Sequence, residues 1–302
     1  MTRHAFPAPG ATDIALSVRT HDRVGERRVD ESWLASTWQE PSSRIVPLVG
    51  VEFPVSEDGG SVRWQLSTEL PSQGVRLFLG ARDGVPHFAL VGAARTDDGR
   101  WTSLREVVHT LREPDAGFLV HAVALAEWHA SHQFCPRCGG PLVPAAAGHV
   151  LTCERCGRQQ FPRSDPAVIM MVTDGDRALL GRQPSWPEGR YSTLAGFVDP
   201  GESLEEAVVR EVAEETAVLV TDVTYFGNQP WPFPQSLMVG FFARAVSTEI
   251  RVDEREISDA RWFTRAQMKA EAEAGTLLLP GGISISRSLV EAWYGGPLPG
   301  SW

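Results

Sequence analysis

The stretch Gly196–Val218, GFVDPGESLEEAVVREVAEETAV, decides the fold and the chemistry together. Its first half is a glycine-rich turn and its second an acidic helix. Ser203 and Glu206 make an S-x-x-E capping box, which predicts a helix starting at that serine. At about 100° per residue, Leu204, Ala207, Val208 and Val212 line up as its apolar stripe. Glu211 and Glu215 point in nearly the same direction. Carboxylates one turn apart on an inward face repel each other and lose hydration. A hard divalent cation relieves both costs, so Mg²⁺ or Mn²⁺ is the expected companion. Asp199, Glu202 and Glu214 add carboxylates around the same turn. The plain alternative is a solvated acidic helix with an Arg210–Glu214 surface pair, and it leaves the inward placement unexplained.

Composition narrows the field. A chain of 302 residues with 42% hydrophobic content is expected to form two domains and a small module. Its net charge of −10 argues against a dedicated non-specific nucleic-acid binder. Lys269 is the sole lysine, which excludes a P-loop and any Schiff-base lysine elsewhere. All eight histidines stand at or before His149, so chemistry around the acidic helix must run on carboxylates and metal. The polar N-terminus MTRHAFPAPG has no signal-peptide core, and no apolar run is long enough to span a membrane. A cytoplasmic protein is expected.

Upstream of the acidic box, residues 1–44 are polar and weakly periodic, with Trp33 and Trp38 as expected anchors. IVPLVGVEF, VRWQL, VRLFLG and HFALVG then alternate with turn signals and predict antiparallel strands. Helices are expected around Leu104 to Leu111 and Ala116 to His132. His87, His109, His121, His129 and His132 show no metal-binding spacing.

All four cysteines fall in FCPRCGGPLVPAAAGHVLTCERCG. Cys135, Cys138, Cys153 and Cys156 form C-x2-C-x14-C-x2-C, two thiolate knuckles at the ends of a hairpin, which predicts one structural zinc per chain. Two disulfides or a redox pair are the alternatives. A cytoplasmic setting disfavours the first and the paired knuckles disfavour the second. With four protein ligands, the metal has no open position for catalysis. The arginines nearby read as the ribbon's solvated face.

After the ribbon, Val168 to Val172 should be a buried strand and Arg177 to Arg182 its hairpin partner, with further strands at Val218 to Phe226 and Ser236 to Val246. Strands flanking a helix predict an α+β layered fold. Between the last two strands lies NQPWPFPQS. Pro230, Pro232 and Pro234 stiffen a loop that displays Trp231 and Phe233, a cheap way to hold planar rings by stacking. Gln229, Gln235 and Ser236 offer polar contacts. A loop packed as a core plug is the alternative. Glu256 precedes the strand-like ARWF and can complete a carboxylate metal site, and Ile283 to Trp293 should be a helix.

The acidic stretch matches G-x5-E-x7-R-E-U-x-E-E-x-G-U, with U aliphatic, at Gly196, Glu202, Arg210, Glu211, Val212, Glu214, Glu215 and Val218. It therefore resembles the Nudix box, with Ala217 where that motif has glycine. Ribbon, box and NQPWPFPQS in this order resemble the zinc-ribbon Nudix hydrolases of the NADH pyrophosphatase (NAD⁺ diphosphatase) family, whose motif S-Q-P-W-P-F-P-x-S begins with serine where this chain has Asn228. The resemblance implies an N-terminal β-rich domain (1–130), the ribbon (131–163), a Nudix α-β-α sandwich (164–302) and a homodimer. It further implies Glu211, Glu215, Glu256 and the Ala195 carbonyl as ligands of Mg²⁺ or Mn²⁺. Glu214 belongs to the same catalytic cluster, and Glu215 is the choice for the group that deprotonates water. Phe197 and Trp231 would sandwich nicotinamide, and Phe161 takes the place of a substrate-contacting tyrosine. The reaction implied is hydrolysis of NADH or NAD⁺ to a nicotinamide mononucleotide and AMP, or removal of NAD caps from RNA. The rivals are a Nudix hydrolase of ADP-ribose and a non-catalytic regulator that senses nucleotides and binds nucleic acid.

Overall fold

A computed structural model describes residues 14–17, 20–95, 98–253 and 255–300. The stretch MTRHAFPAPG and the last two residues of the tail lie outside them. The chain forms two compact bodies.

The first body comprises Arg19–Ser164 and Trp231–Gln235. Its elements are α1 (Glu31–Gln39), β1 (Arg44–Leu48), β2 (Glu52–Pro54), β3 (Val75–Arg82), β4 (Val85–Val91), β5 (Trp101–Ser103), α2 (Leu104–Val107), α3 (Asp115–Ser131), β6 (Leu142–Ala145), β7 (Val150–Cys153) and β8 (Gln159–Gln160). Three strands form a sheet in the order β1-β4-β3, while β2 pairs with β5. The expected all-antiparallel arrangement fails at β1 and β4, which run parallel. VRWQL forms only single bridges, Val62 to Val55 and Gln65 to Ile45. Side-chain packing holds it instead: the Trp64 indole N–H donates to Asp115 (3.1 Å), and its ring meets His87 and Phe118 edge-on. Helix α1 lay within a stretch read as weakly periodic. Asp30 caps it by accepting from Trp33 N (3.0 Å), and Leu34 and Trp38 bury its inner face.

The ribbon sheet runs β6-β7-β8. It belongs to the first body through His149 Nε2, 2.8 Å from the Phe78 carbonyl, and His129 Nε2, 2.7 Å from the Gly148 carbonyl.

The second body holds Asp165–Pro230, Ser236–Trp302 and the described part of Met1–Val18. Its elements are β9 (Asp165–Thr173), β10 (Arg177–Arg182), β11 (Leu194–Phe197), α4 (Leu204–Thr216), β12 (Val220–Trp231), β13 (Ser236–Ala245), β14 (Asp259–Thr264), α5 (Arg265–Glu273) and α6 (Ile285–Tyr294). A six-stranded mixed sheet runs β12-β13-β9-β10-β14, with β11 also on β9. Strand β9 is apolar from Ala167 to Val172 because both faces are covered there. Val168, Met170 and Val172 join Ala207, Val208 and Val212 of α4 in one core, while Ile169 and Met171 join Met268, Leu289 and Trp293 of α5 and α6 in the other. The body is thus an α-β-α sandwich, with side chains alternating between faces at the strand period of two. The partition departs from the boundaries read in the sequence. Ile14, 4% exposed, fills the α6-side core, and residues 231–235 group with the first body.

Candidate active site

Strand β9 builds the entry to the site. Its N-terminal part pairs with β11 over Ala167–Met170, and its end pairs with β10 at Val172 and Thr173. Splitting one edge between two strands lets β11 finish beneath α4. Ser286 fixes the approach, bonding Ser192 Oγ and Thr193 Oγ1, each at 2.8 Å. Past β11, the chain turns through Gly201 into the capping box. There Glu206 N donates to Ser203 Oγ (3.2 Å) and Ser203 N donates to the Glu206 carboxylate (2.9 Å).

Glu211 and Glu215 are buried, 9% and 7% exposed, whereas Glu214 is exposed. Glu211 fits because Gly196 has no side chain: a Cβ there would sit 1.9 Å from its carboxyl carbon. Ala195, whose carbonyl was expected to join the site, immediately precedes that glycine on β11. The last carbonyls of α4 bring in Glu256. Asp253 N donates to Glu215 O (3.3 Å) and Arg251 N to Thr216 O (2.9 Å), which satisfies the helix end and lays the Glu256 loop against it.

Arg210 is no surface pair. Its Nε and Nη2 clasp Glu202 at 2.8 Å each, Nη1 donates to Glu211 (2.8 Å) and Glu214 (3.0 Å), and Nη2 also donates to the Phe197 carbonyl (2.9 Å). All five guanidinium hydrogens are directed, tying helix to turn. The motif marked Arg210, but this hub is a tertiary feature that spacing does not reveal.

Burial raises the Glu215 carboxyl to about 8, helped by the charges of Glu211, Glu256 and Glu214. Burial also raises Glu211, with Arg210 opposing. Glu215 Oε2 is buried without a hydrogen-bond partner. A hard divalent cation fits this donor set: buried, mutually repelling oxygens, one of them unpaired.

The cysteines fit zinc by geometry. Their sulfurs lie within 4.8 Å of one another, with Cys135–Cys156 at 3.8 Å and Cys138–Cys153 at 3.5 Å. Tetrahedral bonds of about 2.3 Å to zinc require S···S separations of about 3.8 Å. Each knuckle closes alike: Gly139 N donates to Cys135 O and Gly157 N to Cys153 O, both at 2.9 Å. The backbone N–H of Cys156 brings the Cys153 thiol down to about 7, which favours the thiolate that binds metal.

The residues expected to touch substrate separate by exposure. Phe197 is 59% exposed and Phe161 64%. Trp231, Phe233, Pro230, Gln235 and Ser236 are half-buried, Pro232 is buried and Pro234 exposed. Gln229 departs from expectation. It is 1% exposed, its amide N–H groups donate to Ala15 O and Ile283 O (2.7 Å each), and its carbonyl accepts from Ile285 N (3.0 Å). Its polar capacity is spent on backbone, so it anchors the base of the loop. Gly148 has φ +83°, and a Cβ there would stand 2.2 Å from Leu77 Cδ2.

The NUDIX domain family matches residues 163–278, the NADH pyrophosphatase zinc ribbon domain residues 130–161, and the NADH pyrophosphatase-like rudimentary NUDIX domain residues 52–128. The NAD-capped RNA hydrolase NudC of Mycobacterium bovis (strain BCG / Pasteur 1173P2) is 41% identical over 245 residues, spanning 76% of this chain and 78% of NudC. The NAD-capped RNA hydrolase NUDT12 of Homo sapiens is 43% identical over 196 residues, 61% of this chain and 42% of NUDT12. A NUDIX hydrolase structure from Nitrosomonas europaea gives a TM-score of 0.44 at 18% identity, over 55% of this chain and 95% of that one. Acidic helix, Arg210 hub and sandwich define a Nudix hydrolase. Within that class, the chain belongs to the zinc-ribbon NADH pyrophosphatase family. Among the described residues, no helix is long and apolar enough to cross a membrane.

Proposed function

We propose that this enzyme hydrolyses the pyrophosphate bond of NADH or NAD⁺ to nicotinamide mononucleotide, reduced or oxidised, and AMP, and that it cuts the same bond where NAD caps an RNA. The observation that carries the reading is the buried Glu211–Glu215 pair, held by Arg210 and left with an unpartnered carboxylate oxygen. The RNA arm is supported by the names of relatives such as NudC.

Glu211, Glu215, Glu256 and the Ala195 carbonyl are the groups we assign to Mg²⁺ or Mn²⁺. When bound, such a cation neutralises phosphate charge and activates water. Glu215 is the group we assign to take the proton of the attacking water. Arg210 keeps Glu211 and Glu214 aimed and, through the Phe197 carbonyl, fixes the turn that carries the Phe197 ring. Trp231 is the ring we assign to nicotinamide, with Phe161 as a further aromatic contact. Holding a remote ring places the phosphates for reaction. The intact carboxylates argue against a non-catalytic regulator. The reading includes one zinc per chain, a homodimer that sedimentation would test, and a reducing cytoplasmic setting suited to free thiols.

The test is selectivity. Trp231→Ala should lower the ratio of kcat/KM for NADH to that for ADP-ribose by roughly 5- to 150-fold, since stacking on an aromatic is worth roughly 1–3 kcal/mol. An unchanged ratio would remove nicotinamide from the reading and favour a general dinucleotide hydrolase. Competition between NADH and NAD-capped RNA at fixed salt ranks the two substrates.

A further inference from the structure

We propose that Arg105 is a positioning residue for substrate selectivity: through Phe233 it holds Trp231 in the orientation that receives the nicotinamide. The inference rests on the assignment of Trp231 above and concerns how the first body fixes that ring.

The segment Trp231–Gln235 is part of the body that carries Arg105. The Arg105 guanidinium lies over the Phe233 ring, 4.7 Å from its centroid. Phe233 in turn meets Trp231 edge to face, centroids 5.0 Å apart and planes at 78°. Arginine, phenylalanine and tryptophan therefore form one contact chain.

The first link is restrained from behind. Leu104 and Val107 are each 1% exposed, which pins α2 and the Cα of Arg105. Pro232 and Pro234 restrict the loop backbone, so side-chain rotation is the freedom that remains. Phe233, however, borders a cavity of about 370 Å³ that Val51, Leu104, Val123 and Glu127 also line. Arg105 lines the same cavity, and its guanidinium and the Trp231 indole are the ring contacts that hold Phe233 beside it. Remove the cation and Phe233 can swing into the cavity, taking with it the edge contact that orients Trp231. The proposal gives Arg105 no role with the carboxylates, so its effect should fall on the nicotinamide end alone.

The experiment uses the full chain with Mg²⁺ or Mn²⁺ and measures kcat and KM for NADH and for ADP-ribose. Arg105→Ala is compared with Arg105→Met, which keeps an apolar stem without the charge, and with Trp231→Ala alone and combined with Arg105→Ala. The expected result is a rise in KM for NADH of roughly 3- to 10-fold in both Arg105 variants, the range a cation–π contact sets, with kcat within about twofold. The ADP-ribose parameters should stay within about twofold, the Tm should hold, and the double variant should be no worse than Trp231→Ala. Equal losses on both substrates, a lowered Tm, or additive losses in the double variant would overturn the proposal in favour of a purely structural arginine. If Trp231→Ala shifts the NADH to ADP-ribose ratio while neither Arg105 variant does, this proposal alone fails. If none shifts it, the nicotinamide assignment falls with it.

Discussion

The carboxyl group of Glu211 lies where a side chain of Gly196 would stand: a Cβ there would meet its carboxyl carbon at 1.9 Å and its oxygens at 2.1 and 2.2 Å. Strand β11 and helix α4 are thus packed to the limit at the point where the site needs a carboxylate. Gly196→Ala should push Glu211 away while leaving both cores intact. A displacement of about 1 Å at a reacting site can cost 10²-fold, so kcat for NADH should fall by about that factor with only a modest loss of Tm. Near-normal turnover would show that Glu211 is not held in its working position.

Arg210 engages Glu202, Glu211, Glu214 and the Phe197 carbonyl at once. Lysine offers a point charge and cannot span them. Arg210→Lys should lower Tm, as part-buried charge-assisted hydrogen bonds are left unmade, and should lower kcat. Calorimetry and steady-state assays of the same preparation check both.

Ala217 closes α4 in the left-handed region, at φ 59° and ψ 9°. This is why the resembling motif has glycine there, and alanine in that conformation costs about 1 kcal/mol. Ala217→Gly should raise Tm by about 2–4 °C with activity unchanged. A lower Tm would mean that the exposed methyl contributes more than the strain removes.

In the first body His21 and His87 stack on the Phe118 ring at 4.0 Å each, and His121 meets both His21 and His149. Burial brings His21 down to about 4, with Arg23 and His87 adding to it and Asp22 and a backbone bond opposing. Burial likewise brings His149 to about 4, with Arg28, Arg23 and His129 adding to it. These folded-state values lie below the ordinary 6.5, so between pH 6.5 and 4 the unfolded chain binds more protons and stability falls as pH falls. His21→Phe keeps the stack and removes the titrating group. Its Tm relative to the parent should rise steadily as pH drops through that window. A constant gap would contradict neutral burial of His21.

The elements with strong local signals were legible in the sequence. The Ser203–Glu206 box, the apolar stripe of α4, the unbroken run of β9 and the hairpin at Arg177 each carry their reason within a few residues. What escaped depends on distant partners. Helix α5 is thinly apolar, and its Thr264–Gln267 capping box was the available clue. The parallel pairing of β1 with β4 joins segments separated by β2 and β3. Gln229 looked like a ligand contact because polar residues in an aromatic loop often are, yet its amide is claimed by Ala15, Ile283 and Ile285. Glu256 could be named in the sequence but not placed, since the bonds that bring its loop to the end of α4 are backbone bonds that leave no trace in residue type.

The most direct test of the account is product analysis. Wild type and Glu215→Gln are incubated with NADH and Mg²⁺ or Mn²⁺, and the nucleotides are separated by chromatography. Wild type should yield equimolar reduced nicotinamide mononucleotide and AMP, and the glutamine variant should lose about 10²-fold or more, the low end of what a general base contributes. Cleavage at any other bond, or undiminished turnover without the Glu215 carboxylate, would contradict it.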